Sequence, residues 1–378
     1  MRNVVIAGFA RSPFAFANKG ELIEVRPDDM AAQVVSGLIA KTGIDPKDIE
    51  DLIMGCAFPE AEQGFNLARM VVFLAKLPQS VAGVTVNRFC GSSMQSVHMA
   101  AGAIQMQAGE AYICAGVESM TRIPMGGFNP MPNPRMVDEY PDALISMGTT
   151  AENLARKYQI TRKDQQAMAV ESHAKAAAAR DAGKFSDEIV PIVQDGTTVS
   201  ADSCIRPGTS QEGLDGLKPA FDQAGTVTAG TASPLTDGAV ALLVTSEDYA
   251  KAHGLKILAR LKSVAVAGCA PEIMGIGPVP ATQKALKRAG ITVKELDVVE
   301  LNEAFASQAL ACVHDLGLDL AKVNIDGGAI ALGHPLGATG ARIVGKAAQL
   351  LKREGKKFAL ATQCIGGGQG IATVLEAV

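Results

Sequence analysis

The sequence predicts an α/β fold made from a duplicated unit and packed in layers, with helices outside, two sheets, and helices between the sheets. Three observations carry that expectation. The order strand, glycine-rich loop, helix, strand occurs twice along the chain. The strands read as near-continuous apolar runs, as in sheets covered on both faces. The 378 residues hold 39 glycines and many alanines against 4 tyrosines and no tryptophan, which points to elements packed closely through small side chains.

In the first copy, residues 47–54 lead a strand into Gly55-Cys56. Val84-Thr85-Val86-Asn87 then opens onto Cys90, followed by a helix-like run over 94–107 and a strand over 111–116. In the second copy, residues 294–301 lead a strand into Asn302-Glu303-Ala304-Phe305. Val323-Asn324-Ile325 reads as the strand that opens onto His334, with a helix over 338–352 and a strand over 358–362 behind it. Between the copies the chain changes character. Proline, glycine and methionine crowd residues 123–135, and a charged, alanine-rich helix runs over 161–182, with Thr161 as N-cap and Asp164 in its first turn. This stretch reads as an inserted lid or loop domain. The apolar strand over 237–244 completes the first sheet. The expected division is therefore an N-terminal half over 1–117 plus 236–256, a loop domain over 118–235, and a C-terminal half over 257–378.

A net charge of −4 and the lack of any lysine and arginine block exclude general attraction to nucleic acid, so a polyanionic ligand must meet a local basic group. The chain enters a strand at Val4, which leaves no room for a secretion leader, and no run is apolar enough for a membrane span. The seven cysteines at 56, 90, 114, 204, 269, 312 and 364 lack the short spacings of a zinc site or a disulfide framework. A reducing, cytoplasmic setting is expected. Cys56, Cys114, Cys269 and Cys312 lie in apolar stretches and read as small core residues.

Three clusters carry the candidate chemistry: Asn87-Arg88-Phe89-Cys90-Gly91-Ser92-Ser93, Gly333-His334-Pro335-Leu336-Gly337 and Cys364-Ile365-Gly366-Gly367-Gly368. Cys90 ends a strand and begins a helix, where unpaired N–H groups and the helix dipole favour a thiolate; the plainer alternative is a structural cysteine in a strand-helix joint. Pro335 keeps His334 out of the helical region and holds the imidazole at a loop tip. The other histidines, His98, His173, His253 and His314, read as surface or satisfied side chains. The glycines after Cys364 expose N–H groups that can donate to an oxyanion, or they form a plain turn. Asn302 ends a strand and can hold a water or donate to a carbonyl.

The chain order Cys, Asn, His, Cys with these flanks resembles the thiolase superfamily over nearly the whole chain. The likeness rests on the segments around Cys90, Glu118, Met147, Asn302, His334 and Cys364: Val86-Asn87-Arg88-Phe89-Cys90-Gly91-Ser92-Ser93-Met94-Gln95, Gly116-Val117-Glu118-Ser119-Met120, Met147-Gly148-Thr149-Thr150-Ala151-Glu152, Asn302-Glu303-Ala304-Phe305-Ala306, Gly327-Gly328-Ala329-Ile330-Ala331-Leu332-Gly333-His334-Pro335 and Cys364-Ile365-Gly366-Gly367-Gly368. The resemblance implies a five-layered αβαβα fold with an inserted loop domain. It implies that Cys90 is the acylated nucleophile, that His334 activates it, and that Cys364 moves the α-carbon proton of acetyl-CoA. It implies one oxyanion hole from His334 and a water on Asn302, and a second from the N–H groups of Cys90 and Gly366. For coenzyme A it points to Met147, Arg206, Phe221, Ala229, Ser233, Met274, Ala304 and Phe305.

Ser146 stands where acetoacetyl-specific members often carry histidine, and the segment 118–147 is short and proline-rich. Thr231, Asp326 and Gln369 also depart from common choices in the superfamily. The first two features imply a degradative 3-ketoacyl-CoA thiolase of fatty-acid β-oxidation, with an acetoacetyl-CoA thiolase working in the condensing direction as the alternative. Coenzyme A and acyl-CoA are expected as substrates, with no cofactor and no metal, and the partners expected are a second copy in a homodimer and other β-oxidation enzymes. A decarboxylating condensing enzyme and a cysteine hydrolase both lack a use for Cys364, and a non-catalytic acyl-CoA carrier has no use for any of the three groups.

Overall fold

The computed structural model describes residues 2–378. The N-terminal copy contains β1 (Val4–Arg11), α1 (Pro27–Thr42), β2 (Ile49–Gly55), α2 (Leu67–Leu74), β3 (Ala82–Val86), α3 (Ser92–Gln105) and β4 (Ala111–Ser119). The insert carries α4 (Met147–Lys157) and α5 (Arg162–Asp181) among shorter pieces, and the chain returns through β5 (Thr236–Ser246). The C-terminal copy contains β6 (Ala259–Gly268), α6 (Pro278–Ala289), β7 (Val298–Leu301), α7 (Ala306–Leu316), α8 (Leu336–Glu354), β8 (Phe358–Ile365) and β9 (Gln369–Glu376).

The strand order proves the repeat. One half reads β3-β2-β4-β5-β1 and the other β7-β8-β9-β6, with the strands at the free edge parallel and those toward the junction of the halves antiparallel in both. Instead of standing wholly apart, the two sheets touch through Val5↔Arg260 and Ile6↔Ala259, so β6 belongs to both ladders. The expected strand at Val323 is a single bridge to Val299. It stops there because Asn324 turns to φ 46 and its side chain bonds Leu301 N and O at 3.0 and 2.8 Å, capping the sheet edge itself.

Both sheets are wholly buried along their central strands, which matches their unbroken apolar runs. Helices α3 and α8 lie between them, where Met94, Val97, Ala100 and Ile104 pack with Ala338, Ala341, Val344 and Ala347. Helices α1 and α2 cover the far face of one sheet and α6 and α7 that of the other. The glycines make the central layer this thin: a Cβ on Gly340 would stand 2.4 Å from Met94 N, and one on Gly55 2.3 Å from Ser93 N. Side chains there would force whole layers apart, at about 1–3 kcal/mol or more each.

The insert is docked by buried polar bonds. Thr161 and Asp164 form a reciprocal capping box at the start of α5. From the middle of that helix, Ser172 Oγ donates to Glu303 at 2.7 Å, and Glu303 also accepts from Asn324 and from Ile330 N. Arg11 on β1 pairs with Glu188 and Asp202 at 2.8 and 2.7 Å, and Lys346 on α8 pairs with Glu188 and Asp326 at 3.0 and 2.9 Å, all five being nearly fully enclosed. Removing one member would leave an uncompensated buried charge. No helix among the described residues is long and apolar enough to cross a membrane.

Candidate active site

Cys90 lies in the tight joint between β3 and α3. Phe89 takes φ 42, a strained value for a side-chain-bearing residue, and the turn around it is held on all sides. Asn87 accepts from Phe89 N at 2.8 Å and donates to Ala57 O at 3.0 Å; Ser92 Oγ accepts from Arg88 N at 2.8 Å and donates to Phe89 O at 2.6 Å. Cys90 is half-buried as a residue, but its sulfur is crowded by protein. Burial pushes the thiol up to about 12, with the charge of Glu118 adding to it and the nearby Gly366 N–H pulling the other way. The expected resting thiolate is thus corrected: desolvation outweighs the helix start.

His334 sits between Gly333, whose φ of 100 and close approach to Thr236 leave no room for a Cβ, and the first turn of α8. Its N–H donates to Thr236 Oγ1 at 3.0 Å. Thr339 Oγ1 donates to Pro335 O at 3.0 Å and lies 2.6 Å from His334 Nδ1. With its one hydrogen used, that hydroxyl accepts from Nδ1–H, which leaves Nε2 as the free base. Burial and then the charge of Arg342 hold the imidazole down to about 3, so it is neutral at rest. Asn302, fully buried at the end of β7, brings Nδ2 to 3.3 Å from Nε2, and its Oδ1 has no protein partner.

Cys364 is in β8 opposite Gly370, 1% exposed. Burial and the nearby Cys90, Cys312 and Cys269 push its thiol well above the usual range. It shares an apolar cluster with Met274, Ala304, Phe305 and Met147. The residues expected around coenzyme A converge on that cluster. A Cβ on Gly366 would lie 3.5 Å from Met147 Sδ; the Phe221 ring covers Gly148 and meets Phe305 edge-on at 5.7 Å. Ser233 N and Oγ both donate to Ala304 O, at 3.0 and 3.1 Å, and Ala229 is exposed in the turn closed by Thr228 and Thr231. Arg206 is not drawn into this group by any bond: its N–H and guanidinium meet His173, at 3.1 and 3.3 Å.

Sequence reasoning missed the struts. Gln363 Nε2 donates to Cys90 O, and Arg88 reaches Gln95 and Gln369 at 2.9 and 2.8 Å, tying the cysteine turn to the glycine run after Cys364. Thr339 and Glu118 were missed too. A lone acid at the end of the apolar strand β4 was the readable signal for Glu118; nothing in the sequence marks Thr339. Cys269, expected in the core, is half-buried because it follows the last residue of β6.

A thiol and a neutral imidazole from opposite halves, with a second thiol and a glycine run near the first, are groups that acyl transfer through a covalent thioester can use. The thiolase N-terminal domain matches residues 4–248 and the thiolase C-terminal domain residues 255–377. The chain belongs to the thiolase family. It is 49% identical over 386 residues to a 3-ketoacyl-CoA thiolase of Vibrio vulnificus (strain CMCP6), covering 100% of both chains. It is 46% identical over 389 residues to one of Bacillus subtilis (strain 168), again covering 100% of both. Human mitochondrial 3-ketoacyl-CoA thiolase, solved in complex with CoA, superposes with a TM-score of 0.92 at 39% identity, covering 100% of this chain and 98% of that one.

Proposed function

We propose that this chain is a degradative 3-ketoacyl-CoA thiolase, cleaving 3-ketoacyl-CoA with free CoA to acetyl-CoA and an acyl-CoA shortened by two carbons. The observation that carries the reading is Cys364: a second buried thiol, brought from the other half of the fold near Cys90. Full-length likeness to relatives named 3-ketoacyl-CoA thiolase supports it over the acetoacetyl-CoA alternative.

In the first half-reaction His334 Nε2 takes the Cys90 proton as Sγ attacks the 3-keto carbon. The N–H groups of Cys90 and Gly366 receive the oxygen of the tetrahedral adduct. As it collapses, the bond between C2 and C3 breaks and leaves an acetyl-CoA enolate, whose oxygen meets His334 and a water on Asn302. Cys364 protonates C2, acetyl-CoA departs, and CoA–SH then gives its proton to Cys364 while its sulfur takes the acyl group from Cys90, whose departing sulfur recovers its proton from His334. Resting thiols suit this cycle, since each proton is moved only when the reacting carbon is in place.

The insert over 118–235 acts as the CoA-binding loop domain, with Met147, Phe221, Ala229, Ser233, Met274, Ala304 and Phe305 along the pantetheine arm and Arg206 toward the nucleotide. Seven free cysteines favour a reducing cytoplasm. A homodimer forms through β3, an edge strand flanked by the exposed Phe65, Phe73 and Leu74. Other β-oxidation enzymes, which supply the 3-ketoacyl thioester, are the remaining partners. Thiolysis rates for 3-ketoacyl-CoA substrates of four to sixteen carbons test the reading. Turnover that continues past four carbons is expected; activity confined to acetoacetyl-CoA, or release of free acid without CoA, would overturn it.

A further inference from the structure

Glu118 is a buried acid at the site that the reaction does not use. It ends β4, is 1% exposed, and has no cation among the groups acting on it. Its oxygens are instead filled by donors: Ala57 N and Gly337 N on Oε2, both at 2.8 Å, and Gln63 Nε2 and Phe58 N on Oε1, at 2.8 and 3.2 Å. The Cys56 thiol approaches Oε1 at 3.7 Å. Burial raises its carboxyl above the ordinary range, and these four N–H donors work against that by favouring the anion.

These donors come from both halves. Gly337 lies in the first turn of α8, three residues past His334, and a Cβ there would meet Glu118 Oε2 at 2.8 Å and Val117 O at 2.6 Å. Ala57 and Phe58 line the pocket of Cys90 with Met120 and Leu336, and Ala57 O anchors Asn87 of the cysteine turn. One carboxylate therefore fixes the floor under the cysteine and the helix start that carries the histidine. An anion at a helix N-terminus is also favourably placed.

We propose that Glu118 is a positioning residue: its carboxylate docks the His334 helix against the Cys90 pocket and lays negative charge beside that pocket. This rests on the reading of Cys90 as nucleophile and His334 as base. The ionisable groups facing Glu118 are the Cys56 and Cys90 thiols; those facing Cys90 are Glu118 from β4 and Cys364 from β8, with His334 as the base from the start of α8, while Arg88 on its own loop turns to Gln95 and Gln369.

The test is Glu118→Gln, followed by the pH dependence of iodoacetamide alkylation at Cys90, read by peptide mass spectrometry, beside the thiolysis rate. Loss of the charge should lower the alkylation midpoint by about one pH unit, and loss of the dock should lower kcat by about 10²-fold. Folded E118Q with an unmoved or raised midpoint, or with activity within about twofold of wild type, overturns the proposal. If E118Q does not fold, Glu118→Asp is read instead: it keeps the charge and withdraws the oxygens, so the midpoint should stay within a few tenths of a unit while kcat falls about tenfold. A midpoint shifted by a full unit, or an undiminished kcat, overturns it there. Alkylation needs no substrate, so failure here is distinct from failure of the thiolase reading.

Discussion

The two copies of the repeated unit solve the same local problem in different ways. In the N-terminal half the chain passes from β3 to α3 in five residues, over the strained Phe89, and delivers Cys90. In the C-terminal half the strand shrinks to one bridge at Val323, the loop lengthens to include a turn of helix at Ala329–Leu332, and the same position delivers His334. The connection after the next strand differs in the opposite sense: residues 120–235 lie between β4 and β5, whereas only Gly366-Gly367-Gly368 separate β8 from β9. Each half has spent its length where the other is tight. The long insert brings Met147, Phe221 and Ser233 to the apolar cluster around Cys364, and the glycine run of the other half is tied to the cysteine turn through Arg88 and Gln369. The outer edges differ too, since Asn324 caps the C-terminal sheet edge while β3 is left open.

The sharpest way to break the comparison is to remove each half's reacting group in turn. Cys90→Ser should abolish thiolysis, by on the order of 10³-fold or more, with no trapped acyl adduct in an intact-mass measurement. Cys364→Ala should still take an acetyl group from acetyl-CoA onto Cys90, yet lose carbon–carbon cleavage by about 10²–10⁴-fold; equal loss of both steps would refute the division of labour. Asn302→Ala, which strips the donor beside His334 Nε2, should lower kcat by about 10²–10³-fold with a smaller change in KM, read from steady-state kinetics.

A change at the open edge tests the other contrast. Val84→Lys on β3 should convert a dimer to monomer in sedimentation velocity, while a lysine in place of Lys322's neighbour Ala321 at the capped edge should leave the assembly intact.

The smallest effect is on stability. Burial holds His334 and His98 down to about 3, and His173 to about 4, all below their ordinary value. The unfolded chain therefore binds protons that the folded chain refuses once the pH drops below about 6.5, and folding stability falls from there toward pH 3–4 by up to about 1 kcal/mol per histidine per pH unit. Urea midpoints at pH 7.5 and 5 check the sign; a higher midpoint at the lower pH would refute it.

The strands, the central helices and the duplication were legible because apolar periodicity and glycine spacing are local properties of the chain. The places of Cys90 and Cys364 near strand ends and of His334 ahead of a helix were legible too, from the glycines and the proline beside them. What the chain did not reveal are interactions made across the repeat. Thr339 sets the tautomer of His334 from inside a helix, where a threonine looks like any other. Gln363 and Arg88 act on partners more than 270 positions away, and Glu118 on Gly337 219 positions away. The protonation of Cys90 was misread for the same reason: the helix start is visible in the sequence, while the burial that outweighs it is not.

The central claim is that Cys90 carries the acyl group while the other half of the fold handles the protons. Incubating the protein with a 3-ketoacyl-CoA in the absence of free CoA, then quenching and mapping the peptides by mass spectrometry, tests it most directly. The account predicts a shortened acyl group on the peptide that contains Cys90, removed by added CoA. An adduct on Cys364, or on any of the other five cysteines, would contradict it.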